Sequence, residues 1–144
     1  MKKTLLFLFL LLLNSTPLLS QINPKNIEIV RDNYGVPHIY GKTDADVAYG
    51  LAWAHCEDDF KTIQEGYLAG NGLLSKYIGT KGAGADLITQ VIESEKTVDE
   101  LYHTLSPEFI KILEAYSQGM NKYAEIYPNQ VLVKKLFPIT PKQM

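Results

Sequence analysis

Two short runs of alternating apolar and polar residues lie near the start of the chain, separated by turn-forming residues. Residues 27–30 alternate as on a half-buried strand, and residues 36–40 form a second β-rich run. The residues between them, 32–35 (D-N-Y-G), include Asn and Gly, which tolerate the positive φ of a tight turn. The pattern predicts a β-hairpin over roughly 26–40. Pro37 belongs at an edge or bulge of it, because proline has no amide hydrogen to donate.

A segment with helical spacing follows the hairpin. Thr43 and Asp46 stand three residues apart, which is the spacing of a capping box and marks a helix start. We expect this helix to run to about Ala69, with a break near residues 56–58, and to end at the Gly-Asn-Gly stop signal of residues 70–72. One predicted side of this helix carries Ala45, Ala48, Leu51, Ala52 and His55, with Val47, Leu51 and Ala54 overlapping, and the small residues among them indicate close packing against another element.

Shorter elements are predicted in the middle of the chain. The apolar residues of 73–78 indicate a short helix or turn, and the three glycines of 79–85 indicate a loop. Thr97 and Glu100 again have capping-box spacing, so we expect a short helix from there to about Leu105.

The clearest amphipathic helix begins at Ser106 and Pro107, which suit the N-cap and the first helical position. Apolar residues then recur at steps of three and four to about Ile126, and Pro128 ends the helix. These apolar residues are Phe109, Ile112, Leu113, Tyr116, Met120 and Tyr123. Residues 140–141 (T-P) look like another helix start, and we expect the sequence to be truncated there.

The first twenty residues have the pattern of a secretory signal peptide. Two lysines precede the uninterrupted apolar run of residues 5–13, and residues 14–17 break it. The run is too short to span a bilayer, which disfavours the alternative of a membrane anchor. We expect cleavage near Ser20 and Gln21, leaving residues 21–144 as the exported part.

The charge and the cysteine content narrow the possible partners. Fourteen basic and sixteen acidic residues give a net charge of −2, and removal of Lys2 and Lys3 with the signal would make it −4. This balance argues against a nucleic acid or an anionic membrane as partner of the mature protein. Cys56 is the only cysteine, so no intrachain disulfide is possible. A periplasmic or secreted location fits both observations.

The spacing of the histidine, cysteine and glycine residues does not indicate an active site. His38, His55 and His103 lie in different predicted elements, without the ligand spacing of a zinc site. Cys56 is adjacent to His55, but neighbouring helical side chains diverge, so a small buried residue is favoured over a thiol nucleophile. The glycines of 79–85 do not connect a clear strand to a helix, as a phosphate-binding loop would.

Charged residues near the hairpin have structural interpretations. Residues 57–59 (E-D-D) point in different directions on a helix, so we expect a solvated face or a tertiary salt bridge rather than an acid–base pair. Arg31, the only arginine, stands beside Asp32 at the predicted turn. Its planar guanidinium is suited to hold a carboxylate or backbone carbonyls.

Five segments, in order, resemble the α-chain of the penicillin acylase family. Residues 29–40 (IVRDNYGVPHIY) resemble its opening I-x-R-D-x-Y-G-V-P-H-I motif, and residues 49–58 resemble its Y-G-x-G-Y-A-x-A-E-D helix. Residues 64–79 resemble its Q-x-E…G…L…G tail, residues 106–121 its S-P-E…G-x-N helix, and residues 137–141 the segment that runs into its next helix.

The sequence departs from the family pattern in several places. Ala52 stands where glycine is common, and residues 59–61 replace an arginine-containing segment. The stretch after Gly79, with Asp86, is closer to acylases that act on acyl-homoserine lactones and acylated peptides than to penicillin G enzymes.

The resemblance implies an α+β N-terminal nucleophile hydrolase, of which this chain is only the α-chain start. Such proteins are made as one precursor that cleaves itself to free a serine at the start of a β-chain. That serine attacks the amide carbonyl of a small acyl-amide substrate, and its own α-amine acts as the base. The serine nucleophile and the family's calcium-binding glutamate are both expected downstream of Met144.

No catalytic residue and no metal ligand is therefore expected in these 144 residues. The serines of the predicted helices, Ser75, Ser94, Ser106 and Ser117, occupy α-chain positions. The residues expected to form the scaffold motif, packed against the β-chain, are Arg31, Asp32, Tyr34, Gly35, Pro37, His38, Glu57 and Asp58. In the isolated segment, helix faces such as that of Phe109, Ile112, Leu113 and Tyr116 are expected to lack their β-chain partner and to form an exposed patch. Two alternatives are an inactive remnant and a secreted binding module.

Overall fold

The computed structural model describes residues 21–144, and the predicted signal peptide lies outside the described residues. These residues form a hairpin of β1 (Glu28–Arg31) and β2 (Pro37–Tyr40), followed by helices. The helices are α1 (Asp44–Gly70), α2 (Ser75–Ile78), α3 (Ala83–Val91), α4 (Ser94–Leu101) and α5 (Pro107–Ile126). Short 3-10 turns cover Pro24–Asn26, Gly79–Gly82, Tyr102–Thr104, Pro128–Gln130 and Pro141–Gln143. Among the described helices, none combines the length and the apolar character needed to cross a membrane.

The predicted hairpin is confirmed, with β1 antiparallel to β2 and Ile29 opposite Ile39. Pro37 is the first residue of β2, a position where a missing amide hydrogen is tolerated. The inner side of the hairpin lies directly on α1. A Cβ on Gly50 would be only 2.7 Å from a methyl group of Ile39 and 2.8 Å from one of Ile27. The hairpin can therefore contact this helix closely only because Gly50 has no side chain.

Helix α1 begins and bends almost where the sequence predicts. Thr43 and Asp46 form the capping box in both directions. The break occurs at Asp59 (φ −157°, ψ 72°), one residue after the expected 56–58. The Asp59 carboxylate accepts a hydrogen bond from the Thr62 amide at 3.0 Å and so caps the second half of the helix.

The predicted packing side of α1 is only partly correct. Ala48, Ala52 and Ala54 are buried as expected, as is Cys56, but Leu51 and His55 are exposed. The reason is the position of α5, which crosses α1 beside Tyr49 and Ala52. The crossing partner, rather than the spacing of apolar residues, decides which side of α1 is covered.

Helix α5 is confirmed over Pro107–Ile126, with the Ser106 hydroxyl accepting a hydrogen bond from the Phe109 amide at 3.2 Å. At its crossing with α1, a Cβ on Gly119 would lie 2.6 Å from the carbonyl oxygen of Tyr49 and 2.9 Å from the Cβ of Ala52. The main core forms next to this contact and consists of Ala52, Cys56, Phe60, Met120, Tyr123, Ala124 and Ile139.

The α5 face expected to lack a partner is covered in part. Ile112 and Tyr116 pack against a second core cluster of Ala48, Tyr49 and Ala115. Phe109, in contrast, remains about half exposed. The expectation is therefore wrong for Ile112 and Tyr116, because α1 itself supplies their partner.

The prediction of a glycine-rich loop over residues 79–85 is wrong. The segment forms a 3-10 turn and then begins α3 at Ala83. Gly82 is needed there for close approach, because a Cβ would lie 2.7 Å from the backbone of Leu74 and Ser75. Glycine therefore marks a contact between two segments rather than an irregular loop.

The predicted helix start at Thr97 is also wrong. Helix α4 begins at Ser94, directly after Glu93, whose φ of 52° turns the chain out of α3. Thr97 lies inside α4, and its amide donates to the Glu93 carbonyl oxygen at 2.9 Å. The turn at Glu93 thus sets the start of the helix before the apparent capping box.

Side-chain amides fasten the C-terminal segment to the two long helices. Gln64, fully buried, donates to the Gln130 carbonyl at 3.0 Å and accepts from the Leu132 amide at 2.9 Å. Asn121 accepts from the amide of Ile139 at 2.7 Å and donates to the carbonyl of the same residue at 2.9 Å. These amides satisfy backbone groups that have no sheet or helix partner.

The crossing of α1 and α5 predicts opposite effects for two Gly→Ala substitutions. Gly119→Ala places a methyl group against the Tyr49 carbonyl and should destabilise the protein by about 1–3 kcal/mol. Gly66→Ala, in α1 with no atom within 4 Å of the new Cβ, should stabilise it by about 0.5–1 kcal/mol. Urea denaturation followed by circular dichroism measures both changes. Equal effects of the two substitutions would contradict the proposed close contact.

The capping of α2 by Asp86 predicts a pH dependence. The Ser75 hydroxyl and the amides of Ser75 and Leu74 hold the pKa of Asp86 below its usual range. Its contribution to stability should therefore be complete above the ordinary aspartate pKa of about 3.9 and be lost as the pH falls through the lowered folded-state pKa. The urea midpoint of Asp86→Asn should vary less with pH than that of the wild type in this range. The exposed Glu95→Gln serves as a control, and an unchanged pH profile for Asp86→Asn would refute the assignment.

Candidate functional site

The turn of the hairpin is built around the carboxylate of Asp32. Its Oδ1 accepts hydrogen bonds from the amides of Tyr34 at 2.9 Å and Val36 at 3.0 Å. These amides, that of Tyr34 most strongly, lower the pKa of Asp32. Gly35 takes the positive φ (82°) that the turn requires. The side chain of Tyr34 projects from this rigid turn and is 93% exposed.

Arg31 connects this turn to α1. Its Nη1 donates to the carbonyl oxygen of Gly35 at 2.8 Å, and its Nη2 lies 2.8 Å from Asp58 Oδ1 and 3.3 Å from Glu57 Oε2. The neighbouring carboxylates, Asp58 first, raise the pKa of Arg31. One guanidinium thus holds both a backbone carbonyl and carboxylates, which are the partners expected for an arginine beside a turn.

The two acids reach Arg31 although they are consecutive in α1. The expectation that they point apart is therefore wrong, whereas the expected tertiary salt bridge is present. Glu57 is also fixed by the indole N–H of Trp53, which donates to its Oε1 at 2.8 Å. Both carboxylates are partly exposed and neutralised by a cation. The arrangement orients the hairpin on the helix and offers no carboxyl pair for proton transfer.

The three histidines lie apart in the structure. His38 Nε2 is 3.4 Å from Asp32 Oδ2, and His55 Nδ1 is 2.8 Å from the hydroxyl oxygen of Tyr116. His103 lies in the exposed 3-10 turn after α4. Within residues 21–144, no three His, Cys, Asp or Glu side chains are grouped as a metal site would require.

The thiol of Cys56 and the hydroxyls of Ser75, Ser106 and Ser117 are engaged in the fold. Burial raises the pKa of Cys56 to about 12, so its thiol stays protonated at neutral pH. Ser75 is bound to Asp86, the Ser106 hydroxyl caps α5, and the Ser117 hydroxyl donates to the Glu114 carbonyl at 2.8 Å. Each of these hydroxyls thus contributes to a helix start or a helix turn.

Two open depressions mark the described surface. The larger, of about 1110 Å³, lies between the second half of α1, α4 and the C-terminal residues, and its lining includes Ile63, Tyr67, Tyr116 and Met120. The smaller, of about 260 Å³, lies between the hairpin, α1 and α5. No histidine or cysteine is among the described residues that line either depression. The smaller depression is mainly apolar, whereas the lining of the larger one also contains polar and charged residues such as Ser94, Glu95 and Lys142.

Several residues that matter in this geometry were missed by sequence reasoning. Gln64, Asn121 and Trp53 lie within segments that resemble family motifs, but spacing does not show which groups their amide and indole side chains bind. Asp86 did give a usable signal, since it is a lone acid between the glycines of 79–85 and an apolar run.

The curated proteins that resemble this chain include two kinds of acylase. Penicillin G acylase from Escherichia coli is 28% identical over 134 residues, which are 90% of this chain and 16% of the relative. Acyl-homoserine lactone acylase QuiP from Pseudomonas fluorescens is 27% identical over 107 residues, which are 74% of this chain and 13% of the relative. The chain thus spans less than a fifth of the length of these relatives.

The fold agrees with a solved acylase structure. A chain of the thermostable penicillin G acylase from Alcaligenes faecalis superposes with a TM-score of 0.69 at 22% identity, covering 81% of this chain and 67% of that chain. The expected α+β fold of the N-terminal nucleophile hydrolases is confirmed by this likeness. The penicillin amidase family model matches residues 26–142, nearly all of the described segment. This chain therefore belongs to the penicillin amidase family.

Proposed function

We propose that this chain is the N-terminal scaffold segment of an exported amide hydrolase, whose serine nucleophile lies on a downstream β-chain. The observation that carries the proposal is the family match over residues 26–142. These residues fold into the hairpin, the crossed pair α1 and α5, and the C-terminal segment fastened to them. The signal peptide at residues 1–20 is part of this proposal.

The coverage of the relatives supports a precursor that is cleaved into chains. The segment amounts to 13–16% of the two curated relatives but to 67% of the chain in the solved acylase. The solved chain is accordingly several times shorter than the curated sequences. Cleavage of a long precursor into a short and a long chain produces this difference. We therefore propose a β-chain of the same precursor as the partner.

The geometry of the described residues fits a supporting role. Arg31 is ion-paired with Glu57 and Asp58, and the Asp32 carboxylate is hydrogen-bonded to the amides of its turn. A nucleophile needs a base within hydrogen-bond reach. The hydroxyls of Ser75, Ser106 and Ser117 are instead hydrogen-bonded to groups that cap or stabilise helices. These contacts favour a rigid support for chemistry that takes place on another chain.

The proposed reaction is removal of an acyl group from an amide. The first residue of the β-chain would supply both nucleophile and base, because an α-amine titrates near pH 8 and can accept the serine proton at neutral pH. Candidate substrates are β-lactam and acyl-homoserine lactone amides, since both kinds of acylase are among the relatives.

Calcium in the full-length protein is a further part of the proposal. The adjacent carboxylates of Glu57 and Asp58 do not fit such an ion because Arg31 already neutralises them, and residues 21–144 contain no group of three acidic, histidine or cysteine side chains suited to a metal. Any calcium ligands would therefore belong to residues outside this segment.

Expression of the complete coding region tests the proposed activity. The product should mature into two chains and release the acyl group from at least one amide of a panel containing acyl-homoserine lactones and acylated β-lactams. Residues 21–144 alone should release none. A fully processed product that leaves the whole panel intact would contradict the proposal.

Arg31→Lys distinguishes a supporting role from a catalytic one. Lysine keeps the charge but cannot hold Gly35 and both acids in one planar geometry. The variant should give less processed enzyme and a lower melting temperature, while kcat and KM per mole of processed enzyme stay at wild-type values. The exposed Lys111→Arg should change neither property. A fall in kcat at unchanged yield would assign Arg31 to the chemistry.

A further inference from the structure

The side-chain amide of Asn71 links the end of α1 to the C-terminal turn. Its Nδ2 donates to the carbonyl oxygen of Tyr67 at 2.8 Å and to that of Gln143 at 3.0 Å. Tyr67 lies in the last turn of α1, and Gln143 belongs to the 3-10 turn Pro141–Gln143. Both partners are hydrogen-bond acceptors, so the link exists only while residue 71 carries a donor.

The residue after Asn71 is fixed by the way in which α1 ends. Gly72 has a φ of 63°, in the left-handed region. Its amide donates to the carbonyl oxygen of Ala69 at 3.1 Å, and the Leu73 amide donates to that of Leu68 at 2.7 Å. These two bonds form a Schellman motif, which favours glycine at this position. The helix end therefore places a glycine directly after the asparagine that forms the link.

An asparagine followed by glycine has a characteristic reactivity, which is deamidation through a cyclic imide. The Gly72 amide nitrogen loses its proton to solvent and attacks the side-chain carbonyl carbon of Asn71. The bond from this carbon to Nδ2 breaks, and ammonia leaves with a proton taken from water. Water then opens the ring at either carbonyl to give aspartate or isoaspartate, with no change of oxidation state. Glycine favours the attack because it has no Cβ to hinder the close approach of its nitrogen.

The sequence and the surface both distinguish Asn71 from the other asparagines. It is the only asparagine in the sequence that is followed by glycine. Asn71, Gly72 and Gln143 all line the larger depression, which is open to solvent. The Gly72 amide is bonded to Ala69 and the Asn71 amide to Gln143, so both bonds must open before the attack. Local opening of a helix end needs far less free energy than unfolding of the whole protein.

We propose that Asn71–Gly72 is a site of spontaneous deamidation, and that the modified residue releases the 3-10 turn Pro141–Gln143 from α1. In the product, the Nδ2 donor has been replaced by a carboxylate oxygen. This oxygen faces two carbonyl oxygens to which it cannot donate. Isoaspartate also lengthens the backbone within the Schellman motif. The same two residues that complete the helix end thus give the C-terminal turn a link that is lost irreversibly.

Ageing of the purified full-length protein tests the site. Samples held in a mildly alkaline buffer are digested and mapped by mass spectrometry, and isoaspartate is identified by labelling with an isoaspartyl methyltransferase. Deamidation at Asn71 should be several-fold faster than at Asn33 and Asn129, two exposed asparagines that are followed by residues with large side chains. A rate at Asn71 that is no higher than at these two positions would overturn the assignment.

Asn71→Asp reproduces the charge of the product and tests the release. The amides of Gln143 and Met144 donate to carbonyl oxygens within the C-terminal turn. Their hydrogen exchange, measured on a peptide that covers residues 139–144, should become several-fold faster in this variant. Asn33→Asp adds the same charge at the distant hairpin turn and should leave the exchange of this peptide unchanged. Equal exchange in the two variants would reject the release.

The aged wild-type protein gives a second measurement of the release that needs no substitution. Anion exchange separates the molecules that have gained a negative charge from those that have not. The separated molecules should show the faster exchange over residues 139–144 that is expected for Asn71→Asp. If molecules deamidated at Asn71 keep the slow exchange of the unmodified protein, the release is refuted even though the site is reactive.

Discussion

The contact between Gly119 and the Tyr49 carbonyl is the constraint on which most of this structure depends. With no side chain at Gly119, the two long helices approach until backbone meets backbone. This approach brings Ala52, Met120 and Tyr123 into one core and places Phe60 on the ring of Tyr123, with ring centroids 5.0 Å apart. A larger residue at the crossing would separate the helices and thin the core along its whole length.

Polar groups determine how the remaining segments attach to this helix pair. At one end, Arg31 joins the turn of the hairpin to Glu57 and Asp58, just before α1 breaks at Asp59. At the other end, Gln64 and Asn121 hold the C-terminal segment through its backbone. Each link is directional, so it fixes the path of a segment that apolar packing alone would leave free to slide. These links hold the hairpin and the C-terminal segment on the helix pair, while the aliphatic side chains of α3 remain exposed.

Those uncovered surfaces connect the fold to the proposed function. The chain belongs to the penicillin amidase family, spans under a fifth of the length of its curated relatives and exposes the aliphatic side of α3. The serine hydroxyls of α2 and α5 stabilise helix ends and turns. These properties fit the proposed function, in which the chemistry and the support for it lie on different chains of one precursor.

The sequence by itself determined the elements whose signals are local. The hairpin, the capping box of Thr43 and the amphipathic α5 follow from turn chemistry and periodicity, which act over a few residues, and the ordered motifs indicated the family. Tertiary structure decided what depends on a distant partner. Leu51 is exposed because α5 crosses elsewhere on α1, and Gly82 belongs to a close contact rather than a loop. The polar side of α3 faces inward because Asp86 accepts hydrogen bonds from the amides of Leu74 and Ser75 at the start of α2. Periodicity cannot reveal this arrangement, because it separates a polar from an apolar side of a helix without showing which side is covered.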